Sequence, residues 1–382
     1  METWDAVVVG AGQAGLSASY HLARRGVRHV VLDADAAPGG AWQHRWDSLT
    51  MHDVHGVHAL PDAAAPDPAP GERANVAVPA YFAAYEREHR LPVRRPVTVH
   101  RVADDATEPG LLVVEGEHAG RPTTWRTRTL VNATGTWTRP FVPRYPGAET
   151  FGGLQVHTHD YPGAETFCGL RTVVVGGGAS AVQLLGEIAL VTDTLWVTRR
   201  PPVWRTDDFT PEAGREAVAM VEDRVRRGLP PRSVVSVTGL VLREQERAAE
   251  AIGAYARRPM FDRVAPGAVQ WDDGTSEPAD AILWATGFRP AVSHLAPLHL
   301  RTELGGIRMD GTTAVADPRV QLVGYGPSAS TVGANRAGRT AALGVLAALR
   351  TGRAGQAGQA SSASSSARSG RSGGSTSEPA RT

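Results

Sequence analysis

Two glycine clusters, each directly behind a run of valines, are the residues of this sequence whose types and spacing can do chemistry. Gly10, Gly12 and Gly15 come after Val7, Val8 and Val9, with Gln13 and Ala14 inside the cluster. Gly176 and Gly178, with Ala181 in the third place, come after Val173, Val174 and Val175. A short β-branched run predicts a buried strand. In a strand–loop–helix setting the first glycine turns the chain tightly, the second admits a pyrophosphate against the backbone, and the third small residue lets helix and strand close up. The phosphates then meet the N–H groups at a helix N-terminus, where the dipole favours negative charge. One such loop is a weak signal. Two predict a pair of dinucleotides held face to face, with electrons passing between them.

The two sites differ in the residues behind each loop. Behind the first comes a helical stretch from Leu16 to Arg25, closed by Gly26, and then the strand His29–Leu32, ending at Asp33. Asp33 stands 18 residues beyond Gly15, close to the roughly 20 expected of the acid that binds a ribose 2′-hydroxyl. This site reads as one for FAD or NAD. Behind the second loop the helix runs from about Ser180 to Ala189 and the strand from Thr194 to Thr198. Arg199 and Arg200 then stand where an acid would. A guanidinium matches phosphate oxygens with a bidentate fork, so this end suits a 2′-phosphate and the site reads as one for NADPH.

The elements that must position these loops form an α/β chain. Its 382 residues exceed what one core usually supports, so two domains are expected. A formal net charge of +1 makes no electrostatic case for nucleic acid. Every basic side chain other than histidine is arginine, so no lysine Schiff base can form. The single cysteine, Cys168, rules out an intrachain disulfide and a Cys-x-x-Cys redox pair. The first residues read as a strand rather than a secretion signal, and no apolar run approaches the roughly 20 residues of a membrane span. A cytoplasmic enzyme of small molecules is expected, with a homodimer left open.

Along the chain, Leu60 to Asn75 reads as a surface loop and Val78 to Arg90 as a helix starting near Pro79. Strands are expected at Val97–Val99, Leu111–Glu115 and Thr123–Leu130. Two buried strands end alike, in Ala133-Thr134-Gly135 and Ala285-Thr286-Gly287, and read as matching crossings between the domains. Residues 351–382 hold Ser, Gly, Ala and Arg with no large apolar residue, the composition of a disordered tail. The hexapeptide Pro-Gly-Ala-Glu-Thr-Phe occurs at 146–151 and again at 162–167, too short for a repeat architecture. His44, His52, His55 and His58 do not share one helical face and have no cysteine pattern beside them, so no metal is expected.

Between the two loops, Phe151, Gly153, His157 and Tyr161 make the pattern Phe-x-Gly-x-x-x-His-x-x-x-Tyr. It resembles the fingerprint of flavin-containing monooxygenases, and Baeyer–Villiger monooxygenases differ from it at the last position. Gly39-Gly40-Ala41-Trp42 and the Ala-Thr-Gly exit strengthen the resemblance, which covers residues 1 to about 350. It implies two Rossmann-like dinucleotide-binding domains in a glutathione-reductase-like arrangement. An FAD domain of residues 1–160 and 291–350 would contain an inserted NADPH domain of residues 161–290.

The same resemblance assigns the site. Gly10, Gly12 and Gly15 would hold the FAD pyrophosphate and Asp33 the adenosine ribose. Gly40 and Trp42 would lie beside FAD, and Val99 would offer its backbone to the adenine. Gly135 and Gly287 would mark the crossings near the cofactors. A helix starting near Ser330 and Thr331 would aim its N-terminus at the flavin pyrimidine, favouring the reduced anion. Gly176, Gly178 and Ser180 would hold the NADPH pyrophosphate, with Arg199 and Arg200 at the 2′-phosphate. The implied chemistry is the cofactor's: hydride reaches the flavin, O2 adds to give a peroxyflavin, and a nucleophilic nitrogen or sulfur of a small substrate takes one oxygen while water is excluded. The chain departs from the family in lacking an Asn between Arg45 and Asp53, and His52 is the catalytic candidate there. Three other readings stay open. They are Baeyer–Villiger oxygenation of a ketone, with Asp47 and His52 near the flavin, an NADPH-dependent flavoprotein reductase that inserts no oxygen, and a nucleotide sensor without turnover.

Overall fold

The computed structural model describes residues 2–54, 56–69, 71–205, 211–231 and 239–369. Its first unit is β1 (Thr3–Val9), α1 (Gln13–Ala23), β2 (His29–Leu32), α2 (Ala74–Glu88), β3 (Val93–Arg94), β4 (Val97–Asp104), β5 (Leu112–His118) and β6 (Arg121–Asn132). Strands β3, β2, β1 and β6 lie side by side and parallel, while β4, β5 and β6 form an antiparallel meander. The valine run of β1 is buried on both faces, as a parallel sheet requires. Ala6 and Val8 pack with Leu16 and Leu22 of α1; Val7 and Val9 pack with Val102, Leu112 and Trp125 of the meander.

Helix α2 begins at Ala74, earlier than the expected Pro79, and carries Pro79 inside it. Tertiary packing accounts for this. A Cβ on Gly39 would lie 2.9 Å from the Pro79 ring carbons, so the ring packs directly on the Gly39-Gly40 turn.

The second unit comprises β7 (Leu154–His157), β8 (Thr172–Val175), α3 (Ala179–Ile188), β9 (Thr194–Thr198), β10 (Trp204–Arg205), β11 (Leu240–Val241), α5 (Glu244–Ala251) and β12 (Arg257–Pro259), while α4 (Pro211–Arg226), within the same stretch of chain, packs on the first unit through Val225. A three-stranded meander of β13 (Arg263–Ala265), β14 (Ala268–Gln270) and β15 (Ser276–Pro278) precedes β16 (Ala281–Trp284). Its main sheet is parallel throughout, in the order β12-β9-β8-β16-β7. The repeated hexapeptide now has a structural account. Each copy is a short 3-10 turn entered by a positive-φ glycine, Gly147 or Gly163, and each ends in a buried phenylalanine. Phe151 covers one face of the sheet, with Val173, Val175 and Trp284, and Phe167 the other, with Val174, Leu184 and Leu185.

The chain then returns to the first sheet through β17 (Met309–Asp310), β18 (Thr313–Ala314) and β19 (Val320–Leu322), which pairs parallel to β6. The last helix, α6 (Thr331–Ser369), lies on α1. A Cβ on Gly338 would come within 2.3 Å of Ser17 Oγ, and Ser17 Oγ donates to the Asn335 carbonyl (3.1 Å). Residues 351–369, expected as part of a disordered tail, continue this helix. Once a helix is nucleated on a core, each further residue adds a bond without a new nucleation cost. Residues 370–382 lie outside the described ones.

Candidate cofactor and substrate site

Both glycine loops are built alike. At the first, Gly10 has φ +101°, and a Cβ there would sit 2.6 Å from the Ala133 carbonyl oxygen. A Cβ on Gly15 would sit 1.9 Å from the Gly10 oxygen, so only glycine lets α1 close on the end of β1. At the second, Gly176 has φ +142°, and its Cβ would lie 2.2 Å from the Ala285 oxygen. Both helices start behind a glycine, Gly12 for α1 and Gly178 for α3, and no side chain caps either. Their first N–H groups therefore await an acceptor. The cradle a Cβ would fill and the uncapped donors fit a pyrophosphate at each loop. Ser180 is in the first turn of α3, partly exposed.

Around the first loop the remaining expected residues converge. Gly40, with φ +51°, rests on Gly12. Gln13 Nε2 donates to the His58 carbonyl (3.0 Å). Gly324, next to β19, approaches both Ala14 and Gly135. Asp33 is buried at the end of β2 and accepts from Arg95 Nε (2.8 Å). Burial raises its pKa, and Arg95 offsets part of that. Arg95 in turn makes a bidentate pair with Glu86 of α2, at 2.7 Å on each nitrogen. The sequence offered no signal for Arg95 or Glu86, because their meeting depends on α2 folding back beside β2. Val99 pairs with Gly116, and a bulge leaves His100 unpaired next to it; the Val97 N–H donates to the Asp33 carbonyl (2.7 Å), so this strand starts beside the acid. The helix expected near Ser330 starts at Thr331. Ser330 Oγ accepts from the Gly333 N–H (3.1 Å), so one of the donors expected to face the flavin is capped from within the chain.

The second site differs at its strand end. Arg199 and Arg200 are exposed, and neither is in an ion pair among the described residues. Arg257 of β12 reaches the same place, donating from Nε to Thr198 Oγ1 (2.6 Å) and from Nη2 to the Thr198 carbonyl (3.2 Å). Trp196 Nε1 donates to the Gly176 carbonyl (2.7 Å) and pins the loop from beneath. A lone Trp in a strand pattern reads as core, so this second role is visible only in the fold.

The two units join through a ribbon of two antiparallel linkers. The outgoing one carries Gly135 to Phe141, the returning one Gly287 to Ala291. Phe141 N–H donates to Gly287, Arg289 N–H to Arg139 and Ala291 N–H to Gly135, each at 2.9 Å. The two threonines of the Ala-Thr-Gly exits cross over: Thr134 Oγ1 donates to the Ala291 carbonyl (2.6 Å), and Thr286 Oγ1 to the Phe141 carbonyl. His157, from the fingerprint, is buried against this ribbon. Its Nε2 donates to the Gly287 carbonyl (3.0 Å) and its Nδ1 accepts from the His159 N–H (3.0 Å). Both ring nitrogens are committed to the neutral tautomer, and burial lowers its pKa further. The fingerprint histidine is a hinge clamp.

The segment from Arg45 to Val54 bridges the units. The Asp53 carbonyl accepts from Gln183 Nε2 of α3 (2.9 Å) and from Arg243 Nη1 (3.2 Å). Ser48 Oγ donates to Glu187 (2.7 Å), which Tyr161 also reaches (3.3 Å); burial raises the pKa of Glu187. His52 is exposed between these anchors. Asn75 of α2 supports the segment from below, donating from Nδ2 to the Arg45 carbonyl (3.0 Å) and to Asp47 Oδ1 (2.8 Å). His44 pairs with Asp35 (2.9 Å), His55 lies outside the described residues, and no group of three or more potential metal ligands occurs among the described ones. No helix among them is long and apolar enough to cross a membrane.

Comparison with known proteins agrees with this geometry. The family described as pyridine nucleotide-disulphide oxidoreductase matches residues 4–325. The chain is 36% identical to the solved flavin-containing monooxygenase from Stenotrophomonas maltophilia, covering 91% of this chain and 99% of that one with a TM-score of 0.76. It is 27% identical over 329 residues to indole-3-pyruvate monooxygenase YUCCA4 of Oryza sativa subsp. japonica, 76% of this chain and 75% of that protein. With YUCCA1 of the same plant it shares 35% over 187 residues, spanning about half the length of that relative (45%).

Proposed function

We propose, for a chain that belongs to the pyridine nucleotide-disulphide oxidoreductase family and within it to the flavin-containing monooxygenases, that it places one oxygen atom of O2 on a nucleophilic nitrogen or sulfur of a small substrate. The chain is a flavin-dependent oxidoreductase that uses FAD and NADPH. FAD, when bound, supplies two-electron reduction by NADPH and activation of O2. The balance is substrate, O2, NADPH and a proton in, and oxygenated substrate, NADP+ and water out.

The observation that carries the reading is the shared ribbon. Gly10 abuts Ala133 and Gly176 abuts Ala285, and these two exits are hydrogen-bonded to each other's linkers. Both phosphate loops therefore end against one hinge. On this reading Gly10, Gly12, Gly15, Gln13 and Ala14 bind the FAD pyrophosphate, Asp33 its ribose, and Gly40, Trp42, Val99 and Gly135 line the rest. Gly176, Gly178 and Ser180 bind the NADPH pyrophosphate, Arg199 and Arg200 the 2′-phosphate, with Gly287 at the hinge. The threonine and His157 contacts hold the linkers while the segment from Ser48 to Val54 shields the space between the units from water. His52 stands on that segment as a hydrogen-bond donor.

The test is anaerobic reduction of the purified yellow protein by NADPH, then re-admission of air with a sulfide present. Sulfoxide formed in proportion to NADPH consumed is the expected result. Stoichiometric H2O2 with no oxygenated product would assign the chain instead to the reductases.

A further inference from the structure

Helix α4 belongs to the second unit by chain order and to the first by packing. Its chain leaves the second unit after β10 and returns at β11, two strands that pair with each other through Trp204 and Leu240. Val221 and Val225, one helical turn apart, are buried on one face, while Asp223, Arg226 and Arg227 face solvent. Val225 joins the core that holds Leu295, Leu300, Ile307 and Tyr325 of the first unit. A Cβ on Gly326 would lie 2.8 Å from Val225 Cγ1, so the helix rests directly on that turn. Just past the helix, the Gly228 carbonyl accepts from Thr302 Oγ1 (2.7 Å) and from the Gly306 N–H (3.1 Å).

The first unit reaches across in return. Its Trp46, Leu49 and Val54 are buried in one core with Val182, Leu185 and Ile188 of α3. Two hydrophobic cores are therefore shared between the units, in addition to the hinge ribbon. Domains of one chain move against each other by default, and lose that freedom where an apolar interface joins them. Rotation about the ribbon would bare Val225 and part Gly228 from Thr302.

We infer that α4 is a latch. It fastens the NADPH-binding unit to the FAD-binding one, so that the two keep a single orientation through turnover and flavin reduction proceeds without their separating. The latch serves an oxygenase and a reductase alike, since both begin with that reduction, so the sulfoxidation test leaves it untouched.

The experiment staples the latch shut in the FAD-loaded protein. A Cβ on Gly228 would lie 3.2 Å from Thr302 Cβ, near the roughly 3.5–4.5 Å spanned by a disulfide, so Gly228→Cys with Thr302→Cys can be oxidised to a bridge. Anaerobic flavin reduction by NADPH is expected to stay within about twofold of its rate before oxidation. Loss of that reduction on closing the bridge, with reduction by dithionite intact, would show that the units must part and overturns the inference. A second measurement reads orientation directly. Cys168 is exposed on the second unit, and Ala23 is exposed at the end of α1 in the first. Spin labels on Cys168 and on Ala23→Cys are expected to give one distance by pulsed EPR, the same with and without NADPH. Adding Val225→Asp forces a carboxylate into the apolar contact and is expected to add a second distance at unchanged FAD content. A second distance in the otherwise unaltered protein, or a single one with Val225→Asp, overturns the latch. If Val225→Asp fails to hold FAD, the stapled pair and the Cys168–Ala23 distance still decide.

Discussion

Gly40 sits so close to Gly12 that a Cβ on it would lie 2.8 Å from the Gly12 Cα. One glycine belongs to the turn after β2 and the other to the phosphate loop, so the turn holds the loop from the side. With φ at +51°, Gly40 also occupies the left-handed region, which costs an alanine about 1–2 kcal/mol before any clash. Gly40→Ala is expected to cut bound FAD at least about tenfold, read as the flavin-to-protein absorbance ratio of the purified protein. Gly176→Ala, with its Cβ against Ala285, is expected to spare FAD and weaken NADPH. FAD content that is normal in Gly40→Ala would refute the placement of the cofactor.

Arg199 and Arg200 are exposed and without ion pairs among the described residues, so their substitution removes no structural contact of that kind. A hydrogen bond to a charged group is worth about 1.5–3 kcal/mol. Replacing both by alanine is therefore expected to lower kcat/KM for NADPH by about 10- to 150-fold and leave that for NADH nearly unchanged. Steady-state kinetics with the two coenzymes decides it. Equal losses with both would move the 2′-phosphate away from this strand end, and Arg257 would be the next residue to replace.

His157 commits both ring nitrogens to the hinge, one to Gly287 and one to His159. His157→Ala is expected to cost about 1–3 kcal/mol of stability, the penalty of leaving a buried group unpaired, measured by urea unfolding. The pH profile of NADPH-driven flavin reduction should keep its shape. A lost ionisation in that profile would show proton transfer through His157 and contradict the clamp.

His294 gives the stability a pH dependence. Its Nε2 donates to Asn132 Oδ1 (2.7 Å), and burial brings its pKa down to about 4, against about 6.5 in an unfolded chain. Between these values the unfolded chain takes a proton that the folded one refuses, so stability rises with pH across the window and is lost as pH falls. Above about pH 6.5 the group makes no difference. His294→Gln keeps a donor toward Asn132 and does not titrate. Between about pH 7 and pH 5 the wild type should lose about 2 kcal/mol more than the variant; parallel losses in urea unfolding would place the acid sensitivity elsewhere.

The amino-acid order alone determined the two nucleotide units. Their strands are buried on both faces and read as valine runs, and Gly10, Gly15 and Gly176 must be glycine because a Cβ at each would strike backbone. The matching of Ala133-Thr134-Gly135 with Ala285-Thr286-Gly287 was legible as a repeated tripeptide at the ends of two buried strands, where each glycine takes a positive φ. Only the tertiary structure decided what meets across the chain. Arg95 reaches Asp33, Pro79 enters a helix to cover Gly39, Arg257 joins Thr198, and Arg45 lies over the rings of Trp42 and Trp137. Each of these depends on residues distant in sequence brought together by packing, which no local periodicity encodes. A charge's partner is a property of the folded neighbourhood rather than of the residue.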